Sequence, residues 1–268
     1  MIPFDLHTHC TLSFDGESSA EDMVTRAVML GIKYYALTDH VDLGELPDPD
    51  FDLEATVSGA GAQIPALREK YADKTELLYG VELGQAVQEP ELAEKLLAEN
   101  DYDFVIGSVH NIRGHEDFYF LDYTKTDPQK LLGLYFDELL ETAEAGRYDV
   151  LGHITYPLRY IVGENGINID MKRYSGIIDE ILRTVIKNGK GIEINTSGLR
   201  QKYGRTFPDA GTVKRYRDLG GRILTIGSDA HRTGDLGKGI AEGIELAGNC
   251  GFTEIAVYKE RKPTFIRI

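Results

Sequence analysis

Residues 222–231 read RILTIGSDAH. The apolar run from Ile223 to Ile226 suits a buried strand, Gly227 breaks it, and the polar tip that follows carries Asp229 and His231 two residues apart. The same form recurs in both directions along the chain: IPFDLHTH (2–9), KYYALTDH (33–40), TELLYGVEL (75–83), DFVIGSVH (103–110), DVLGHI (149–154) and GKGIEINTS (189–197), with TEIAVY (253–258) as an eighth strand candidate. Helical patterns fill the intervals. SAEDMVTRAVMLG (19–31) has a Ser-x-x-Glu capping box from Ser18 to Glu21 and a stop at Gly31, and DPQKLLGLYFDELLETAEAG (127–146) starts with Asp127 as cap and Pro128 in the first turn. Further helices are expected at 90–100, 173–189, 209–221 and 236–251. Strands alternating with helices predict an α/β fold of parallel βα units, as a closed barrel or an open doubly wound sheet. There is no composition break, Pro/Ser-rich linker, repeat or low-complexity tract, so residues 1–268 read as a single domain. The longest irregular part, 41–58, reads as a functional loop.

Composition narrows the function classes. The chain has 268 residues, 42% of them apolar, enough for one large core. Lys and Arg number 29 against 44 Asp and Glu, a net charge of −15 that disfavours nucleic acid and anionic membrane as partners and leaves a small ligand. Two cysteines, Cys10 and Cys250, are too few for a disulfide framework, and no secretory leader opens the chain. No apolar run approaches the roughly 18 residues of a membrane helix. A cytoplasmic protein is expected.

The polar tips carry the chemistry. Residues i and i+2 of a strand share a face, so His7 and His9 project together and can share an ion, and Asp229 and His231 repeat the spacing. Asp39 and His40, Glu82, His110 and His153 tip the other strands. Six of the seven histidines therefore sit at strand ends, His115 being the exception. Parallel strands bring their C-terminal tips to one face, and so many imidazoles and carboxylates in one mouth are costly to bury without an ion to pair them. A multinuclear metal site follows. Mixed nitrogen and oxygen donors suit Zn, Mn or Fe better than Mg or Ca.

Read in order, DLHTH, FDG, LTDH, YGVEL, GSVH, LGH, IEINTSG and GSDAH make the chain resemble the polymerase and histidinol phosphatase (PHP) family of metal-dependent phosphoesterases. It looks most like the stand-alone histidinol-phosphate phosphatases of that family. The likeness runs from residue 5 to about residue 231. It implies a distorted (β/α)7 barrel with three divalent ions at its C-terminal mouth. Carried over position by position, it implies that His7, His9, Glu82 and Asp229 hold one ion, that Glu82 bridges to a second with His110 and His153, and that Asp15, His40 and His231 hold the third. Asp39 would orient a ligand imidazole. Glu193 and Asn195 share one strand face and read as a hydrogen-bonded barrel layer.

The implied reaction is hydrolysis of L-histidinol phosphate, in histidine biosynthesis, by a metal-activated hydroxide. His40, His231 or Asp229 is the expected proton donor to the leaving oxygen. Arg159 and Arg200 are the expected phosphate contacts, with Arg113 and Arg232 weaker candidates. The alternative within the family is a phosphatase or phosphodiesterase acting on nucleotides or other small phosphate esters. An amidohydrolase-type barrel also opens with His-x-His, but places Lys at a middle strand tip where this chain has Glu82. A noncatalytic PHP-like module of a polymerase would lack several ligands that are present here. Metal identity and oligomeric state are not encoded in any motif.

Overall fold

Parallel strands covered by helices are buried on both faces, and the parallel strands of this chain are buried almost end to end. In the computed structural model, which describes residues 3–44 and 51–268, eight parallel strands form one sheet. They are β1 (Phe4–Asp5), β2 (Tyr34–Leu37), β3 (His40–Asp42), β4 (Glu76–Gly84), β5 (Phe104–Ser108), β6 (Val150–Leu151), β7 (Gly191–Asn195) and β8 (Leu224–Gly227). Their order is β1-β2-β4-β5-β6-β7-β8, and β3 pairs with β4 beyond the end of β2. Leu6 N to Ile226 O (3.3 Å), Asp229 N to His7 O (2.7 Å) and His9 N to Ala230 O (2.9 Å) join the two edges. The sheet thus comes round into a distorted (β/α)7 barrel, as expected from the resemblance.

The helices are α1 (Ala20–Met29), α2 (Leu53–Tyr71), α3 (Pro90–Glu99), α4 (Pro128–Ala145), α5 (Ser175–Lys187), α6 (Ala210–Asp218) and α7 (Ile240–Asn249). Their buried stripes follow the 3.6-residue period, as in Ile178, Ile181, Leu182 and Val185 of α5. Asp127 caps α4 through Gln129 N and Lys130 N, as the sequence predicts. The cap of α1 lies one residue later than expected: Ser19 Oγ accepts from Asp22 N at 3.1 Å, while Gly31 ends the helix at φ 70°. The stretch 41–58, read as a loop, contains the end of β3 and the start of α2. Its residues 45–50 lie outside the described part.

The eighth strand candidate does not close the barrel. TEIAVY becomes β9 (Glu254–Lys259), which turns back as β10 (Lys262–Arg267) in an antiparallel hairpin. Tyr258 stacks on Phe104 at the start of β5, so the hairpin sits at the end of the barrel opposite the polar tips. Its turn residues, Glu260 and Arg261, both have left-handed backbones (φ 49° and 61°). Asp103, buried, holds them: Oδ1 accepts Glu260 N at 3.0 Å and its carbonyl accepts Arg261 N at 2.9 Å, while Oδ2 accepts Tyr79 N at 2.9 Å and pairs with Arg68. Asp103→Ala orphans the buried Tyr79 N–H, worth about 1–3 kcal/mol, and the part-buried Glu260 N–H, worth less. The denaturant midpoint should fall accordingly while ion content stays that of the wild type; an unchanged midpoint would contradict the anchoring role.

Among the described residues no helix is long and apolar enough to cross a membrane.

Candidate metal centre

Glu82 lies late in β4, in register with His40 of β3 and Ile106 of β5. Its carboxylate is 1% exposed and five imidazoles converge on it. Oε1 is 2.5 Å from His153 Nε2 and 3.2 Å from His110 Nε2. Oε2 is 3.0 Å from His40 Nδ1, 3.2 Å from His7 Nε2 and 3.4 Å from His9 Nε2. The ladder of β1 ends at Asp5, yet the i, i+2 relation persists: His7 Nε2 and His9 Nε2 are 3.1 Å apart. His9 packs against both His40 and His231, with ring centroids at 4.2 Å, and those two rings are 5.7 Å from each other. Asp229 Oδ1 stands 3.3 Å from His9 Nε2, and Asp15 reaches His231 Nε2 at 2.9 Å and His40 Nε2 at 3.6 Å. All nine expected ligands are thus gathered into one cluster.

The donor set fits divalent ions. His7, His9 and Glu82 form one group whose ligand atoms lie within 4.8 Å of one another; Glu82, His110 and His153 form a second, and His9, His40 and His231 a third. Glu82 Oε2, His40 Nδ1, His153 Nδ1 and His231 Nε2 are buried without an aligned hydrogen bond. Of these, Glu82 Oε2 and His40 Nδ1 face each other at 3.0 Å inside the cluster, and nitrogen and carboxylate donors converging in this way are what transition-metal ions require.

Further polar groups orient these side chains. Asp42 Oδ1 is 3.0 Å from His110 Nδ1, and Glu193 Oε1 is 2.6 Å from His7 Nδ1. Asp39 acts at one remove: its Oδ1 accepts from Ser13 Oγ at 2.7 Å, and that hydroxyl lies 3.2 Å from His9 Nδ1. Asp229 has a left-handed backbone (φ 54°), tolerated better by Asp than by most residues. Asn195 Nδ2 donates to its Oδ2 and Arg200 Nη2 to its carbonyl, both at 3.2 Å.

The electrostatics make the ion-free cluster a store of protons. Burial opposes charge on His7, but the carboxylates of Glu193, Glu82 and Asp229 outweigh it and hold this imidazolium well above the usual range. Burial likewise opposes charge on His40 and His110, yet Asp15 and Glu82 raise His40, and Asp42 and Glu82 raise His110 to about 10. His9 goes the other way, pushed down to about 3 by burial and by His231 and His40. The raised groups bind protons in the ion-free fold at neutral pH, so ions must displace them. Ion affinity should therefore rise with pH, by about tenfold per pH unit for each proton displaced. Calorimetry in two buffers of different ionisation enthalpy measures that release; equal heats in both would contradict it.

The cluster floors a cavity of about 400 Å³. Arg159, in a π-helical turn (Arg159–Glu164) soon after β6, lines its wall with Tyr156, Tyr160, Asp117 and Asp42. Tyr119, Phe120 and Phe14 line it too and are exposed. Arg200 lies behind Asp229 and does not line the cavity. Arg113 pairs with Glu141 at 2.8 Å and Arg232 with Asp235 at 2.8 Å. His115 lies outside the cluster. Sequence reasoning missed Asp42, Ser13, Asp117 and Tyr156. Asp42 had a signal, since it stands two residues after His40 and so repeats the spacing of His7 and His9.

Comparison with known proteins gives a consistent set of matches. The PHP domain family matches residues 5–197. A probable histidinol-phosphatase of Thermotoga maritima is 32% identical over 260 residues, covering 94% of both chains. The histidinol-phosphatase of Lactococcus lactis is 28% identical, covering 98% of this chain and 96% of its own. The crystal structure of histidinol phosphate phosphatase from Lactococcus lactis, complexed with zinc, L-histidinol and phosphate, superposes with a TM-score of 0.83 at 25% identity, over 98% of this chain and 99% of that one.

Proposed function

The chain belongs to the PHP domain family, and from that premise we propose that it is a metal-dependent phosphatase that hydrolyses L-histidinol phosphate to L-histidinol and inorganic phosphate. The observation that carries the reading is the convergence of five imidazoles on the buried Glu82 at the floor of a cavity walled by Arg159. Full-length relatives that bear the histidinol-phosphatase name support the substrate, and a net charge of −15 suits a small substrate better than a nucleic acid. Residues 1–268 act as one catalytic unit. Cys10 and Cys250 are both buried and free, which suits the reducing cytoplasm.

His7, His9, Glu82 and Asp229 would hold one divalent ion, Glu82 with His110 and His153 a second, and Asp15, His40 and His231 a third, with Zn, Mn or Fe as the fitting metals. When bound, the ions supply an acidified water and positive charge against the nonbridging phosphate oxygens. Arg159 binds the phosphate from the cavity wall, where a guanidinium presents paired donors. Asp117 and Asp42 put carboxylates beside the alcohol portion, as a cationic substrate requires. Asp229 turns Oδ1 toward His7 and His9 and leaves Oδ2 on Asn195 Nδ2. We assign Oδ2, on a carboxylate that the neighbouring imidazoles hold ionised, to take the proton given up by the attacking water and hand it to the leaving oxygen, with His40 and His231 as its neighbours on the wall.

Phosphate release from the zinc- and manganese-loaded protein is the test, across histidinol phosphate, other monoesters, nucleotides and a diester. A strong preference for histidinol phosphate is expected. A preference for nucleotides or the diester would move the protein to another branch of the family.

A further inference from the structure

β7 places no residue in the ligand set, yet its inward side chains reach ligands on both sides. Glu193 is 1% exposed, with Oε1 2.6 Å from His7 Nδ1 and Oε2 accepting the His153 N–H at 3.0 Å. The neighbouring strand leaves it room. A Cβ on Gly227 of β8 would stand 2.8 Å from Glu193 Oε1 and 2.2 Å from His7 Cβ, so only glycine allows this approach. His7 and His153 belong to the two ligand groups that share Glu82.

We propose that Glu193 is a positioning residue for the metal cluster. Through Oε1 it keeps the proton of His7 on Nδ1, so that Nε2 faces Glu82 and His9 as an open donor. Through Oε2 it sets the backbone from which His153 projects. One carboxylate thereby holds in register the ligands of two different ions. The sequence reading of Glu193 as a barrel-layer residue is correct for its place, and its partners give that place a second task. The proposal rests on the metal-centre part of the proposed function and is independent of the substrate.

The test is ion affinity without substrate, by chelator competition, together with the visible spectrum of the cobalt-loaded protein and the unfolding midpoint of the ion-free protein. Glu193→Gln keeps the volume and an acceptor for His7, but loses the charge and one of the two carboxylate acceptors. About 10- to 100-fold weaker binding is expected, the usual cost of removing such a partner. The cobalt spectrum should shift, and the ion-free variant should stay folded with a lowered midpoint, because it loses the carboxylate paired with the buried His7. Glu193→Ala should bind more weakly still; should it fail to fold, the Gln variant decides. Wild-type affinity and spectrum in Glu193→Gln would overturn the proposal. Loss of the fold in that variant would do so too, by making Glu193 a structural residue. Failure of the wild-type chain to bind ions would instead sink the metal-centre reading, and normal ion binding with no histidinol-phosphatase activity would sink the substrate reading alone.

Discussion

Glu82→Gln lowers phosphate release by roughly 10³-fold or more and leaves the protein short of ions. Glu82 is the carboxylate that five imidazoles share, so removing its charge weakens two ligand groups at once and takes the anionic partner from all five rings. Ions at such a site contribute several kcal/mol to stabilising the transition state, and each 1.4 kcal/mol is about a decade in rate. Gln preserves the volume, and β4 is paired on both sides of this position, so circular dichroism should remain that of the wild type. The checks are metal analysis by mass spectrometry and kcat/KM in the same preparation. Full ion content with full activity would remove Glu82 from the centre.

The second large effect is expected from His9→Ala. His9 is fully buried, points Nε2 at His7 Nε2, Asp229 Oδ1 and Glu82 Oε2, and packs against the rings of His40 and His231. Deleting its imidazole takes a donor from the group it forms with His7 and Glu82 and from the group it forms with His40 and His231. Metal and activity should fall together, by a factor comparable to that of Glu82→Gln, while the fold remains largely intact because the hole is lined by polar groups and adjoins the cavity that His40, Glu82, Asp229 and His231 line. A fully active variant would contradict the assignment.

The contrast between these residues and the rest of the cluster shows what a sequence can carry. His7, His9, Glu82, His110, His153, Asp229 and His231 were legible because each stands at a strand tip, where a local rule, apolar run then polar end, coincides with a global one, that parallel strands share a mouth. Asp15 was less legible. It comes from the turn after β1, and only its distances to His231 and His40 bring it in. The closing hairpin was not legible, since TEIAVY has the pattern of a buried strand whatever its partner, and its pairing with β10 is decided by contacts at Asp103 and Asp149. Arg159 and Arg200 looked alike in sequence, as lone arginines in loops after strands; one reaches the cavity and the other the back of Asp229, because the chain turns into a π-helix after β6 and a 3-10 helix (Ser197–Arg200) after β7. The contacts of Asp42 with His110 and of Glu193 with His7 span 68 and 186 residues, separations that no local pattern records.

The most direct measurement is stepwise reconstitution: the protein is stripped with a chelator, zinc or manganese is returned in increments, and hydrolysis of L-histidinol phosphate is followed against bound ions per chain. Activity that vanishes on stripping and returns in full only as the third ion binds is the predicted result. Activity that survives in the ion-free protein, or that never appears in the fully loaded one, would contradict the account.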